Sequence, residues 1–476
     1  MKVPKLKYLI ILYILITINK SAFGQNYPRG LDFNDSAYAM VPRKAPMLRD
    51  LDAIPSQASL KDYAPHPKTQ GEYLTCTAWA CAYCARTMVD AIKNNWTNKD
   101  SITAKAYSPG FLFRLLSPND NVCSAETDMQ VALQMMKSKG CIPYHDMPSM
   151  CVPIVANDQL GKANNYRIRD FARLFDVSSF ANVKIQAVKK AISEKKPVVI
   201  GIICPPSFNH AYHNWQPTEQ PLSSFGGHAL CVVGYDDNQY GGAFEVQNSW
   251  GENWGFEGYT WISYQDFARF VRYGYELIDM PDAKPDIADL SGSIKLVLTS
   301  GAEMPANLLV STRGLTVVSA QKTPDPLTIY QTANAYESGT RFSIYISNDQ
   351  PAYVYAISSD LGNNDAVLFP FEKNMSAAFT YKKNAFAIPE NGCIEFDKKP
   401  GKDFLCVFYS KSELNINDII AKISAEQGSF NQRIFKVMGD RIVDPGDIKF
   451  TNDKIAFQAY SKGKDVLAMM VELDHK

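Results

Sequence analysis

The sequence predicts an α+β fold in which a helical lobe precedes a β lobe, followed by a mostly-β, sandwich-like region. Two patterns lead to this prediction. Helical patterns come first, over 77–96 and 128–139, and strand patterns rich in β-branched residues come later, at 197–203, 229–235 and 243–247. Beyond Ser291, apolar and polar residues alternate as in half-buried strands. A chain of 476 residues is longer than one core usually supports, so at least two domains are expected.

Two helices are well defined by their residues. Residues 77–96 contain no Gly or Pro and repeat apolar side chains at helical spacing, which predicts a buried central helix. Residues 128–139 form the second predicted helix, which Thr127 or Asp128 would cap and Gly140 would end. A third helix is predicted at 416–426.

Composition sets the predicted domain boundaries. Pro281 and Pro285 lie among acidic and small residues, which is typical of a linker. The boundaries are a signal peptide at 1–24, a short segment at 25–53, a catalytic domain at 54–280, a linker at 281–290 and a β-rich region at 291–476. Lysine plus arginine and aspartate plus glutamate both number 49, so charge gives no reason to expect nucleic acid or an anionic membrane as a partner.

The first 24 residues have the pattern of a signal peptide. Lys2, Lys5 and Lys7 precede an apolar run at 8–18, and Ala22 and Gly24 are the small residues before a cleavage point at Gln25. This run is shorter than the roughly 20 residues of a membrane-spanning helix, and no later run reaches that length. We therefore expect an exported protein without a transmembrane span, located in the periplasm or outside the cell.

Four residues form a candidate active site. Cys76 lies where a loop gives way to the first helix, and the positive end of a helix lowers the pKa of a thiol and favours the nucleophilic thiolate. Gln70 lies just upstream, where its amide can donate a hydrogen bond to an oxyanion. His228 follows roughly 150 residues later and Asn248 comes shortly after it, which provides a base and an amide to orient that base.

Residues 54–278 resemble the papain family of cysteine peptidases. The motifs that carry the resemblance are Gln-Gly at 70–71, the cysteine at 76, Gly-His-Ala at 227–229, Asn-Ser-Trp-Gly at 248–251, Trp-Gly at 254–255 and Gly-Tyr at 258–259. Two positions depart from the usual pattern. Tyr73 replaces the first disulfide cysteine and Thr77 replaces the tryptophan after the nucleophile, a form that resembles bacterial members.

The resemblance implies a papain-like two-lobe fold with the site in the cleft between the lobes. It also implies that Cys76, His228 and Asn248 catalyse peptide-bond hydrolysis through a thioester. The side chain of Gln70 and the backbone N–H of Cys76 would form the oxyanion hole, and Trp250 would shield the contact between His228 and Asn248 from water. The implied partner is a peptide or protein substrate, and we expect neither a metal nor another cofactor.

The remaining cysteines and histidines leave alternatives open. Cys81 and Cys84 are either buried apolar residues or partners in a bridge to Cys123, Cys141 or Cys151, and Cys393 and Cys406 could link two strands. His210 and His213 are close enough to suggest a metal site, but no nearby carboxylate or cysteine completes a ligand set. An aromatic loop that borders the substrate cleft is the preferred interpretation of this stretch.

The regions outside the catalytic domain raise the question of regulation. Residues 25–53 are too short for the long helical prosegment typical of the papain family. Either the enzyme needs no inhibitor in the same chain, or the C-terminal region serves as one. Residues 342–412 resemble a bacterial domain family of unknown function, so the C-terminal region could bind a surface, a glycan or the catalytic domain.

Two other functions remain in competition with peptide hydrolysis. Acyl transfer to an amine, as in transglutaminases, also uses cysteine and histidine but pairs them with aspartate, whereas this chain has Asn248. The other alternative is a binding or adhesion protein in which the peptidase domain is inactive and the C-terminal region carries the function. The presence of all four site residues argues against it.

Overall fold

The computed structural model of the protein describes residues 27–45, 54–151, 154–279, 288–309, 327, 329–380 and 384–476. The predicted signal peptide and residues 281–287 of the predicted linker lie outside the described residues. The helices are α1 Asp35–Met40, α2 (the consecutive segments Cys76–Ala78, Trp79–Arg86 and Thr87–Lys93), α3 Lys99–Ala104, α4 Pro109–Leu116, α5 Met129–Ser138, α6 Asn157–Ala163, α7 Ala181–Ser193, α8 Tyr264–Phe270, α9 Ile416–Ala425 and α10 Phe430–Met438.

The helical lobe is built around α2, which confirms the predicted central helix. Its residues from Cys76 to Val89 are all buried, and its middle segment, Trp79–Arg86, has the wider turn of a π-helix. Ala78, Ala82 and Ala85 have no exposed surface, and such small side chains let neighbouring elements approach the helix closely. The packing holds the first residue of α2, Cys76, at the boundary between the two lobes.

The second predicted helix is also confirmed, as α5. The Asp128 side chain caps its start by accepting hydrogen bonds from the backbone N–H groups of Gln130 and Val131. The chain leaves the helix at Gly140, where φ is +84°, a conformation that favours glycine.

The β lobe is part of a twelve-stranded sheet. Its strands are β1 Leu31–Asp32, β2 Arg43–Lys44, β3 Gln57–Ser59, β4 Thr127–Asp128, β5 Asp170–Arg173, β6 Val198–Ile203, β7 Asn214–Trp215, β8 Gly227–Asp236, β9 Ala243–Gln247, β10 Tyr259–Ser263, β11 Val271–Ile278 and β18 Met375–Ser376. The strands β6, β8 and β9 are buried almost throughout and match the three predicted strand segments. His228, the second residue of β8, pairs with Ile202 of β6, and β9 pairs with β8 from Cys231 onward.

The C-terminal half consists of a six-stranded and a seven-stranded sheet that share one apolar core. Its remaining strands are β12 Leu290–Leu298, β13 Ala306–Leu309, β14 Ile329–Thr332, β15 Arg341–Asn348, β16 Ala352–Asp360, β17 Ala366–Phe369, β19 Ala378–Phe379, β20 Asn384–Ile388, β21 Ile394–Glu395, β22 Gly401–Ser410, β23 Ile448–Phe450, β24 Ala456–Ala459 and β25 Val466–His475. Buried and exposed residues alternate along β15, as its sequence predicts, and α9 lies at the predicted third helix.

The structure contains a disulfide that was not predicted from the sequence, between Cys123 and Cys151. Cys81 and Cys84 are buried free thiols in the apolar core, which is one of the two alternatives left open for them. The predicted link between Cys393 and Cys406 is wrong: both are free thiols, Cys406 buried in the middle of β22 and Cys393 partly buried. Among the helices that the structure describes, none is long and apolar enough to cross a membrane.

Candidate active site

Cys76 occupies the first position of α2 and is completely buried. Backbone N–H groups at a helix start have no partner within the helix and attract negative charge. The backbone groups of Thr77 and Ala229 lower the pKa of the Cys76 thiol against the larger effect of burial, so both lie near its sulfur. Ala229 directly follows His228 on β8, so the structure brings the predicted nucleophile against the strand that carries the predicted base.

His228 and Asn248 form the hydrogen bond expected of a base and its orienting group. The distance from His228 Nε2 to Asn248 Oδ1 is 2.8 Å, and both side chains are buried. The backbone N–H of Ser249 also donates to Asn248 Oδ1, at 2.7 Å, which fixes the amide with its oxygen toward the imidazole. The Trp250 ring stacks on the His228 ring with centroids 4.5 Å apart, which is a suitable position for shielding this contact from water.

Gln70 is held in place by Ser249. The Ser249 hydroxyl donates to Gln70 Oε1 at 2.7 Å, and the backbone N–H of Gln70 donates to the Ser249 carbonyl at 2.8 Å. The side-chain nitrogen of Gln70 donates to the Tyr73 carbonyl at 2.7 Å, within the loop that leads to Cys76. Ser249 therefore fixes both Gln70 and Asn248. The sequence analysis did not assign it a role, although its place beside Asn248 in the Asn-Ser-Trp-Gly motif was a usable signal.

A short piece of the N-terminal region, the cleft segment (residues 27–32), crosses the cleft between the lobes. Leu31 pairs with Gly227 of β8 and with Thr127 of β4, which belong to opposite sides of the cleft. The backbone N–H of Gly30 donates to the Gly227 carbonyl at 3.3 Å, and the Thr127 N–H donates to the Gly30 carbonyl at 2.8 Å. The cleft segment is thus hydrogen-bonded to both walls through its backbone.

The cleft segment also occupies groups of the candidate site itself. The Pro28 carbonyl accepts hydrogen bonds from Gln70 Nε2 at 3.3 Å and from Trp250 Nε1 at 3.1 Å. The Tyr27 ring stacks on the Trp250 ring at 4.5 Å and 7°. The sequence left two alternatives open, namely no inhibitor in the same chain or inhibition by the C-terminal region. The structure adds a third candidate, because the short N-terminal region lies in the cleft itself.

Complete burial shifts the pKa values of Cys76 and His228 in opposite directions. Desolvation raises the pKa of the Cys76 thiol to about 12, against the smaller opposing effect of the Ala229 amide. Desolvation also lowers the pKa of His228 to about 3, and the nearby Arg29 cation contributes in the same direction. Burial therefore favours the neutral thiol and the neutral imidazole in this closed arrangement. The thiolate and imidazolium expected from the sequence stay a prediction for the open cleft.

The loop with His210 and His213 lies beside the cleft segment. Arg29 donates to Asn209 Oδ1 at 3.3 Å, so the loop contacts a residue within the cleft. The His213 ring packs on the Phe256 ring at 4.4 Å. Within the described ranges, no three His, Cys, Asp or Glu side chains are grouped as metal ligands.

Comparison with known families supports a peptidase domain. Residues 113–270 match the profile of the papain family cysteine protease. The match includes His228, Asn248 and Trp250, and it begins after Gln70 and Cys76. Residues 113–270 are thus similar to a papain-family cysteine protease domain, and this similarity supports a peptidase.

Individual relatives are distant. An uncharacterized peptidase C1-like protein of Acanthamoeba polyphaga mimivirus is 30% identical over 118 residues, which cover 24% of this chain and 36% of that protein. The chain therefore matches only about a third of this curated relative's length. Among solved structures, xylellain, a cysteine protease from Xylella fastidiosa, is 20% identical over 54% of this chain and 97% of its own, with a TM-score of 0.43. The bromelain protease from Ananas comosus is 18% identical over 47% and 99%, with a TM-score of 0.38.

Proposed function

We propose that the protein is an exported cysteine peptidase that hydrolyses peptide bonds at Cys76 and is kept latent by its own cleft segment. One observation carries the catalytic part of the proposal. It is the 2.8 Å hydrogen bond between His228 and Asn248. His228 lies on β8 beside Ala229, which is near Cys76 at the start of α2, and this supports a single cleft with the groups needed for thiol catalysis.

The chemistry assigns one step to each group once the cleft is open. The Cys76 thiolate attacks the substrate carbonyl carbon, and the backbone N–H of Cys76 with the side chain of Gln70 donates to the resulting oxyanion. The C–N bond then breaks as imidazolium His228 gives its proton to the leaving amine. The thioester that remains is hydrolysed by water, which His228 deprotonates, and the free thiol is restored.

Replacement of the nucleophile tests this proposal. We expect Cys76→Ala to abolish cleavage of a fluorogenic peptide library by the activated protein under reducing conditions. Cys393→Ala is the matched control, because it removes a partly buried thiol from the C-terminal half and should leave the rate unchanged. Cleavage by Cys76→Ala at the parent rate would exclude Cys76 as the nucleophile.

The latent state is supported by the hydrogen bonds of the cleft segment. A substrate carbonyl needs the Gln70 donor, and the Pro28 carbonyl already accepts from it. The backbone bonds of Gly30 and the pairing of Leu31 engage both walls where an extended substrate would lie. Substrate can therefore bind only after the cleft segment has been displaced or removed.

The C-terminal half supports latency by holding the chain that follows the cleft segment. Strand β18 pairs in parallel with β2, with Met375 opposite Arg43 and Ser376 opposite Lys44. The Asn374 side chain donates to the Ala39 carbonyl at 3.2 Å, and Arg43 pairs with Glu372 at 3.2 Å. We call these contacts of residues 372–376 with residues 39–44 the clamp. Regulation through the clamp is the accessory role that we propose for the C-terminal half, which includes residues 342–412, the part that resembles a bacterial domain family.

Export is supported by the signal-peptide pattern of residues 1–24 and by the disulfide between Cys123 and Cys151, since disulfides persist mainly in oxidising compartments. When the protein is isolated from the periplasm or the culture medium, N-terminal sequencing should give Gln25 as the first residue. Recovery only inside the cytoplasm, with Met1 retained, would contradict export.

A further inference from the structure

A small cavity lies beneath the candidate site, where α2 meets the β lobe. Trp79 of α2, Asn248 and its neighbours Gln247 and Ser249 contribute to its lining. The space open to the centre of a water molecule is about 10 Å³. This is close to the minimum that one buried water needs, so the cavity has room for a single water.

Two hydrogen-bond donors on this lining are buried without a partner among the described residues. They are the indole N–H of Trp79 and the side-chain NH₂ of Asn248, and these side chains are 3% and 4% exposed. The oxygen of Asn248 is fixed toward His228 and Ser249, so its nitrogen is directed away from the imidazole. Buried donors are costly when they are left unpaired, which makes a shared acceptor the expected arrangement.

We propose that one buried water accepts hydrogen bonds from both Trp79 and Asn248, which makes Trp79 a positioning residue for the catalytic imidazole. A water molecule has two lone pairs, which match the two donors. Gln247 Oε1 accepts one bond, from Cys84, and the Ser249 hydroxyl donates one to Gln70, so each retains a lone pair for the water's own hydrogens. Trp79 would act indirectly: its hydrogen bond fixes the water, the water fixes the Asn248 amide, and the amide orients His228.

This inference rests on the proposed function, since the residue that is positioned is the proposed base. Trp79→Phe removes the indole N–H and keeps an aromatic ring. Tyr83→Phe is the matched control, because Tyr83 lines the same cavity but its hydroxyl donates to the His66 carbonyl at 2.8 Å, away from Asn248. Both variants are measured after removal of the cleft segment.

We expect Trp79→Phe to lower kcat about fivefold to tenfold with little change in KM, because misorientation of the base affects the chemical step more than binding. The basic limb of the pH profile of kcat/KM should also move to lower pH, because a loosened Asn248 stabilises the imidazolium N–H less well and His228 then loses its proton more readily. Tyr83→Phe should leave kcat and the pH profile as in the parent. An unchanged pH profile in Trp79→Phe would overturn the proposal.

A crystal structure of Cys76→Ala at about 1.2 Å provides a readout that does not depend on activity. A water within hydrogen-bond distance of both Trp79 Nε1 and Asn248 Nδ2 is the expected result. Density without such a water would contradict the inference even if the enzyme is active. An inactive parent with the water in place would contradict the proposed function and leave this inference standing.

Discussion

Pro28 contributes only its carbonyl oxygen to the candidate site, yet this atom accepts from both Gln70 and Trp250. A substrate carbonyl and the cleft segment would therefore compete for the Gln70 donor. Under the proposed mechanism, Gln70 would have two roles: it would stabilise the closed state before activation and the oxyanion afterwards. Ser249 supports both roles through its hydrogen bond to Gln70 Oε1.

Gln70→Ala should lower kcat about 10²-fold to 10³-fold once the cleft segment has been removed, because one oxyanion donor is lost. Ser249→Ala should lower kcat by a smaller factor, since the Gln70 donor remains but loses the bond that orients it. Initial rates at saturating peptide measure both effects. A Gln70→Ala variant with the parent kcat would remove Gln70 from the oxyanion hole.

Acidic pH should favour opening of the cleft. The pKa of His228 is about 3 in the closed state, below its ordinary value near 6.5, so the closed state binds fewer protons than an open one. Its stability is therefore fully present above about pH 6.5 and falls as the pH decreases toward 3. Between pH 7.5 and 5.5 the opening equilibrium should rise about tenfold.

The pH effect is measurable as cleavage of the N-terminal region by an added protease in the inactive Cys76→Ala background. Adding His228→Gln to the same background removes the titrating group and should abolish the pH dependence. Equal dependence with and without His228 would assign the effect to other groups.

The secondary-structure elements differ in how well the sequence predicts them. Helix α5 is predictable because Asp128 caps it, Gly140 ends it and apolar residues repeat between them. Strand β8 is predictable because a continuous run of apolar residues is typical of a strand that is buried on both faces, in the interior of a sheet. Strand β1 has only two residues and is held through backbone groups, which every sequence possesses, so no side-chain pattern predicts its position in the cleft. The partners of Gln70 and Trp250 in the cleft segment could not be predicted for the same reason.

Gly30→Ala should prevent the cleft segment from binding between the lobes. An added Cβ at this position would lie 2.2 Å from the Leu74 carbonyl oxygen and 2.4 Å from the carbon, both backbone atoms in the loop before Cys76. We expect the variant to cleave peptides without prior activation, whereas the parent shows a lag.

The control for this prediction is Gly161→Ala in α6, because an added Cβ there meets no atom within 4 Å. Progress curves recorded from the first seconds after mixing compare the three proteins. A lag in Gly30→Ala as long as that in the parent would argue against inhibition by the cleft segment.

At the level of the whole molecule, the N-terminal region connects the two halves of the chain. The cleft segment contacts the candidate site, and β2 lies between β5 of the catalytic domain and β18 of the C-terminal half. Glu276 of β11 reinforces this junction, because it accepts from Lys44 at 2.8 Å and from the Thr380 hydroxyl at 3.1 Å. The sequence predicted both halves but not their connection, since a two-residue strand such as β18 depends on its neighbours for its position.

Weakening the clamp should accelerate activation. Glu372→Gln combined with Asn374→Ala removes a partly exposed ion pair and one hydrogen bond, which together contribute about 1 kcal/mol. We therefore expect the lag before peptide cleavage to shorten about fivefold.

Glu395→Gln is the control for the clamp, because it breaks the exposed Arg341–Glu395 pair elsewhere in the C-terminal half. It should leave the lag as in the parent. If both variants shorten the lag equally, the effect comes from general destabilisation of the C-terminal half and not from the clamp.

The covalent continuity between the cleft segment and β2 has a kinetic consequence. While the chain is intact, the cleft segment is present at its binding site at an effective concentration in the millimolar range, so weak contacts suffice to keep it bound. A single cut within α1 would leave the contacts of the cleft segment itself in place but would make its rebinding bimolecular. At the nanomolar enzyme concentrations of an assay, the released peptide would be diluted and would not return. One peptide-bond cleavage would then make activation irreversible, without any change in the active site.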